Sequence, residues 1–279
     1  MSQSPPTASP PAPSRNVEAV HTRTGDIRTH EAFHSRHLER DHTLIVLRPP
    51  GYDDDPHRRY PVLYLHDGQN IFDRATSIGE EWGVDETALR LIAFGAIEPL
   101  IIVGIYNTGE HRIDEYTPTV DAETKHGGKA DLYGRMLIEE IKPFIDREYR
   151  TRPDPANTGL GGSSLGGLLT LHLGIRHPEV FGKLAALSPS VWWDNTVIVR
   201  KVSELPAKLP LRIWLDAGTR EGGEVIADAR ALRDALEAKG WVVGQDLIYI
   251  EAEGARHDEA SWASRVDSVL TFLFPAPQA

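Results

Sequence analysis

The stretch Thr158-Gly159-Leu160-Gly161-Gly162-Ser163-Ser164-Leu165-Gly166-Gly167 decides how this chain is read. Within it Ser164, and not Ser163, is centred in the pattern Gly-x-Ser-x-Gly, flanked by Gly162 and Gly166. A short extended segment leads into the motif and a helical run, Leu165 to Arg176, leaves it. The serine is thus expected on a sharp strand-to-helix turn, raised above the end of a sheet. A backbone bent that sharply is strained, and side chains two residues to either side would collide with the tightly packed strand and helix. The helix that follows points its first amides at the place where an oxyanion would develop. A glycine-rich connection used only for packing is the plain alternative. The strand before and the helix after favour a nucleophile.

Outward from this turn the chain alternates. Ile27 to Phe33 and Thr43 to Leu47 read as two early strands, and Pro61 to Leu65 and Leu100 to Ile105 as apolar strands covered on both faces. Trp82 to Ala93 and Asp131 to Tyr149 have helical spacing, with Leu137, Ile138, Ile141 and Ile145 on one face of the second. After Arg176 come the strands Leu184 to Leu187, Leu211 to Leu215 and Asp246 to Glu251, and the helices Val225 to Lys239 and Ala260 to Phe274. This rhythm predicts an α/β fold: a mostly parallel sheet with helices on both faces and an antiparallel N-terminal edge.

A serine hydroxyl needs a base within hydrogen-bond reach, and the base needs an acid to orient it. On a strand-turn-helix serine the partners follow in chain order, acid then histidine. Of twelve histidines, His172, His177 and His257 follow Ser164. The first lies within the helix after the serine and the second at that helix's end. His257 sits in a loop after the last strand, where ligand chemistry gathers in open α/β sheets. The acid is expected in the loop after Leu215, Asp216-Ala217-Gly218-Thr219-Arg220-Glu221. Glu221, deeper in that loop, is favoured, with Asp216 the alternative. Acyl transfer also needs two backbone donors. The amide of Leu165 is one; the second is expected in His66-Asp67-Gly68-Gln69-Asn70, with Gly68 ahead of Gln69.

From about Thr43 to Phe274 the chain resembles the putative-esterase family of α/β-hydrolases, a group with enterochelin esterases, S-formylglutathione hydrolase, feruloyl and acetylxylan esterases, and mycolyltransferases. The resemblance rests on Tyr64-Leu65-His66-Asp67-Gly68-Gln69-Asn70, on Asn107 through Glu115-Tyr116-Thr117-Pro118, on the Ser164 motif and on Ser188-Pro189-Ser190. It implies an α/β-hydrolase fold and the triad Ser164, Glu221 and His257. The chain departs from lipases, which carry a glycine run where Asp67-Gly68-Gln69 stands. About two dozen residues separate Leu187 from Leu211, too few for a lid domain. Trp192 and Trp193 are candidates for an aromatic wall against a sugar or aryl group, or for plain core. Gln69, Arg112 and Tyr116 are candidates for holding a substrate carboxylate or hydroxyl, with a surface salt bridge the ordinary fate of a lone arginine.

Composition sets the remaining bounds. In 279 residues, 40% are hydrophobic and 25% charged, as in a globular protein, and the net charge is −11. No basic stripe stands out, so neither nucleic acid nor an anionic membrane is an expected partner. With no cysteine, thiolate catalysis, disulfides and cysteine-held metals are excluded. His30, His34, His37 and His42 read as exposed strand histidines rather than a metal cluster, and Asp53-Asp54-Asp55 as a solvated turn. No phosphate loop opens the first helix, so no cofactor is expected. Residues 1–15, rich in Pro and Ser, read as a disordered tail before a single domain, 16–279; they lack the apolar segment of a secretory signal, and a cytoplasmic location is expected. The functional expectation is a carboxylic ester hydrolase acting through an acyl-enzyme on aryl, acetyl-sugar or siderophore-type esters. An acyltransferase with the same triad, or a silent binding protein on the same fold, are the alternatives.

Overall fold

The computed structural model describes residues 20–277, so the Pro/Ser-rich segment 1–15 lies outside the described residues. Eight strands form one sheet in the order β1-β2-β4-β3-β5-β6-β7-β8. They are β1 (Asp26–Ser35), β2 (Arg40–Arg48), β3 (Val62–His66), β4 (Ile101–Ile105), β5 (Thr158–Ser163), β6 (Lys183–Leu187), β7 (Arg212–Gly218) and β8 (Leu247–Ala252). From β4 to β8 every neighbouring pair is parallel, whereas β1 and β2 pair antiparallel and β2 runs antiparallel to β4. The antiparallel edge and the parallel remainder are those the sequence predicts.

Period-two alternation splits the core between the sheet's two faces. On β3, Val62 and Tyr64 join one apolar cluster while Leu63 and Leu65 join the other. The first cluster is covered by α3 (Ala130–Arg135), α4 (Lys142–Glu148), α5 (Leu165–Arg176), α6 (Trp193–Ser203) and α7 (Val225–Ala238). The second is covered by α1 (Val84–Ala93) and α9 (Val266–Leu273). Short helices α2 (Arg112–Tyr116) and α8 (Glu259–Ala263) lie in the loops after β4 and β8. Among the described residues no helix is long and apolar enough to cross a membrane.

Three departures from the predicted elements have local causes. The helix expected over 131–149 is continuous but passes through a π-helical segment, Met136–Ile141, just before Pro143, which has no N–H to give. The final helix breaks between α8 and α9, where Arg265 turns inward to meet Asp216. Helix α6 is not predicted at all, and its first turn contains three left-handed residues, Asp194 to Thr196. Of the early histidines, His34 is exposed, but His42 is buried, its imidazole set edge-on to Tyr133 on the covered face of β2, while Asp41 beside it is exposed. His30 bonds Tyr149 and His37 bonds Glu139, so each has its own partner.

Candidate active site

Ser164 leaves β5 with φ 57° and ψ −123°, an orientation that costs a non-glycine residue about 1–3 kcal/mol. The surroundings hold it there: its amide donates to the Leu187 carbonyl at 3.0 Å, and its carbonyl accepts from the amides of Leu168 and Ser190. The flanking glycines are needed for space. A β-carbon on Gly162 would lie 3.1 Å from the Gly166 backbone and from His66 Cβ, and one on Gly166 would lie 3.3 Å from Asp67 Oδ2. Two neighbouring strands end in the same way, Asp67 after β3 with φ 56° and Ser188 after β6 with φ 42°. Strained residues thus cluster at the carboxyl ends of three adjacent strands, on one end of the sheet.

The loops after β7 and β8 bring Glu221 and His257 together. His257 Nδ1 lies 2.8 Å from Glu221 Oε2. A carboxylate only accepts, so Nδ1 carries the proton and Nε2 keeps its lone pair. The ring edge packs against Trp262, centroids 5.0 Å apart. The Glu221 carboxylate is fully covered, while His257 is about two-fifths exposed. Glu221 Oε1 accepts from the Gly218 amide at 2.6 Å and from the Ser188 hydroxyl at 2.5 Å. Burial alone would raise its carboxyl, but the bonds from His257, Ser188 and Gly218 overcome this and hold it below the ordinary carboxylate range. Asp216 is committed elsewhere. Wholly buried, it takes both Nε and Nη2 of Arg265 at 3.0 Å, the indole N–H of Trp214 at 2.7 Å and the Ser188 amide at 3.0 Å.

Ser164 and His257 open onto one cleft of about 270 Å³, with Trp262, Asn70 and Glu259 on its walls. Ser164 Oγ is 3.4 Å from Ser190 Oγ. The other histidine beside the turn, His66, is buried between Tyr116 and Tyr133, and burial pushes its imidazole down to about 3, so it stays neutral. His172 is likewise buried and bonded to Asp131. Arg112 lines the cleft but is not free: Nε and Nη2 reach the two Asp67 oxygens at 2.7 Å each. Its helix is anchored by buried Glu115, which accepts from Arg40 and Thr108.

Gly68 and Gln69 form a 3₁₀ turn after β3. Glycine is required at 68 by the neighbouring strand, since a β-carbon there would lie 2.5 Å from the Gly104 carbonyl carbon. The Gln69 side-chain oxygen accepts from the Asn107 amide. Neither tryptophan lines the cleft: Trp193 is core, its indole donating to the Thr119 carbonyl and hydroxyl at 3.2 Å, and Trp192 is exposed beside it. A larger cavity, about 690 Å³, opens at the opposite ends of the strands, between Asp154, Lys183 and Arg212, and contains none of these groups.

The model of the family described as "Putative esterase" matches residues 35–273. The chain belongs to this family. As a member it is a carboxylic ester hydrolase, and its fold is the one the family's structures share. The ferri-bacillibactin esterase of Bacillus subtilis is 31% identical over 209 residues, which are 67% of this chain and 68% of that protein. An endo-1,4-beta-xylanase/feruloyl esterase of Xylanibacter ruminicola is 28% identical over 87% of this chain, which spans only 30% of that longer protein. Among solved structures, the BES protein of Bacillus cereus superposes with a TM-score of 0.73 at 23% identity, covering 94% of this chain and 99% of that one. The enterobactin esterase of Shigella flexneri, in the presence of enterobactin, superposes at 0.74 and 21% identity, over 90% of this chain and 60% of that one. These two likenesses speak to the fold.

Sequence reasoning assigns no part to Ser188, Asp216–Arg265 and Trp262 as a supporting layer. Ser188 Oγ accepts from Trp262 Nε1 at 3.0 Å and from Arg265 Nη2 at 3.2 Å while donating to Glu221. The only signal was Ser188-Pro189-Ser190 itself, a polar turn after a buried strand.

Proposed function

We propose that this esterase hydrolyses its substrates through a covalent acyl-enzyme on Ser164, with His257 as general base and Glu221 as the acid that orients it. His257 Nε2 takes the Ser164 proton as Oγ attacks the ester carbonyl; the same proton then passes to the departing alkoxide. Water, deprotonated by His257, attacks the acyl-enzyme and releases the carboxylic acid. Glu221 stays ionised and stabilises the imidazolium at each transfer. The amides of Leu165, at the start of α5, and Gly68, in the turn after β3, are proposed as the oxyanion donors. The observation that carries this reading is the 2.8 Å bond between His257 Nδ1 and a fully covered Glu221, opening onto the cleft that holds the strained Ser164.

Aryl, acetyl-sugar and siderophore-type esters are the proposed substrate range, in keeping with the names of the relatives. One domain, residues 16–279, is proposed to contain the whole machinery. Rapid mixing with 4-nitrophenyl acetate tests the mechanism. A burst of 4-nitrophenol matching the enzyme concentration, lost in Ser164→Ala, is the expected result; an unchanged steady rate in that variant would sink it.

A further inference from the structure

The charges around the cleft are unevenly paired. Among the described residues Arg112 is the only lysine or arginine on its walls, and its guanidinium is spent on Asp67 and lies over the Tyr116 ring at 5.0 Å. His257 is taken by Glu221. Glu259, two residues after His257 and at the start of α8, also lines the cleft and has no cationic partner among the described residues. Its Oε1 accepts from Asn70 Nδ2 at 3.2 Å, whereas no side chain among the described residues donates to Oε2; the one further donor beside the carboxylate is the amide of Glu259 itself. Burial, and behind it the charges of Asp67 and Asp258, raise the Glu259 carboxyl. Next to it Asp258 is occupied in capping α8 through the Ser261 amide.

We infer that Glu259 is a specificity-determining residue: the cleft selects esters with a hydroxyl or an ammonium near the scissile bond and disfavours those with an anion there. The inference rests on Ser164 as the nucleophile. A donor on the substrate gains a charge-assisted hydrogen bond to the free Glu259 oxygen. An anion in the same place is desolvated beside a carboxylate and finds no unpaired cation to offset the loss. Within the substrate range proposed above this favours acylated sugars, whose hydroxyls donate. It disfavours a ferric tris-catecholate, in which three doubly deprotonated catechols around Fe(III) leave a net negative charge.

The test uses three phenyl acetates of similar shape, with trimethylammonio, tert-butyl or sulfonate at the 3-position. Each is hydrolysed by the wild type and by Glu259→Gln, which keeps an oxygen for Asn70, and comparing the two enzymes on the same ester cancels leaving-group chemistry. In Glu259→Gln the cation-to-anion ratio of kcat/KM is expected to fall about a hundredfold, roughly tenfold from each charged ester, as for unit charges roughly 6 Å apart at an effective dielectric constant near 40. Should the variant fold poorly, salt gives the same reading on the wild type, whose ratio shrinks as ionic strength rises from about 0.02 to 0.5 M. Turnover lost in Ser164→Ala together with a cation-to-anion ratio that is the same in Glu259→Gln as in the wild type, and unchanged by salt, overturns the Glu259 assignment alone. Turnover intact in Ser164→Ala overturns the nucleophile and this inference with it.

Discussion

Glu221→Gln and Asp216→Ala, made side by side, separate two carboxylates that stand near the end of the same strand. Gln at 221 keeps an oxygen for the Gly218 amide and the Ser188 hydroxyl. It removes the charge that faces His257 Nδ1 and no longer enforces the tautomer with Nε2 free. The analogous loss in serine hydrolases lowers kcat by about 10⁴. Its effect on stability is small, about 1–2 kcal/mol for weakened hydrogen bonds. Ala at 216 acts in the opposite sense. It leaves Arg265, itself buried, without a counter-charge and deprives Trp214 and the Ser188 amide of an acceptor. Breaking such a pair costs about 3–5 kcal/mol, or roughly 10 °C in Tm for a chain of this size. Steady-state kinetics normalised to folded enzyme by active-site titration, with a thermal melt of each variant, give both quantities. Glu221→Gln is expected to melt near the wild type and turn over thousands of times more slowly. Asp216→Ala is expected to melt far lower and keep most of its turnover well below its Tm. The reverse pattern, a folded but inactive Asp216→Ala beside an active Glu221→Gln, would refute the assignment of the acid.

Three further outcomes follow from the same contacts. Ser188→Ala removes a donor that keeps the Glu221 carboxyl low, so the carboxyl, followed by carbon-13 NMR, is expected to titrate at a higher pH than in the wild type. The sign for stability agrees: a depressed carboxyl stabilises the fold above its unfolded value and loses that contribution as pH falls through the folded one. Gly68→Ala forces a β-carbon against the Gly104 backbone, and a loss of about 1–3 kcal/mol in chemical denaturation is expected together with lower kcat, as the turn after β3 shifts. Burial raises Asp85, which accepts from the Thr24 amide and hydroxyl. An acid whose folded value is raised loses stability as pH climbs from its unfolded value, so Asp85→Asn should gain on the wild type in melts between about pH 4 and pH 9.

Much of this site is legible in the sequence because its geometry is local. The register of Ser164 follows from glycines two residues to either side, and chain order narrows twelve histidines to three, of which one lies in a loop beyond a strand end. The antiparallel edge is visible as two early strands separated by a turn. What the sequence does not show is long-range pairing. Arg112 is a substrate-binding candidate or an ordinary salt bridge in sequence, and its partner, Asp67, 45 residues away, is visible only in the fold. Trp193 is a wall of the site or plain core in sequence, and the fold makes it core as α6 turns its indole onto Thr119. Gly68 is a candidate oxyanion donor in sequence, while the crowding of its α-carbon by the backbone of β4 is visible only in the fold. Ser188 and Arg265 are ordinary residues in sequence and meet Glu221 and Asp216 only through the sheet. Pairings of this kind depend on which strands become neighbours, and no local period encodes that.

The central claim is that Ser164 forms the covalent bond. Reaction with a 4-nitrophenyl phosphonate, followed by intact mass and peptide mapping, tests it most directly, because the adduct does not turn over and Ser163 and Ser190 stand close by as internal controls. One phosphonyl group per chain is expected, carried by Ser164, with activity lost in proportion to labelling. A stoichiometric adduct on another residue, or full activity in a protein labelled at Ser164, would contradict it.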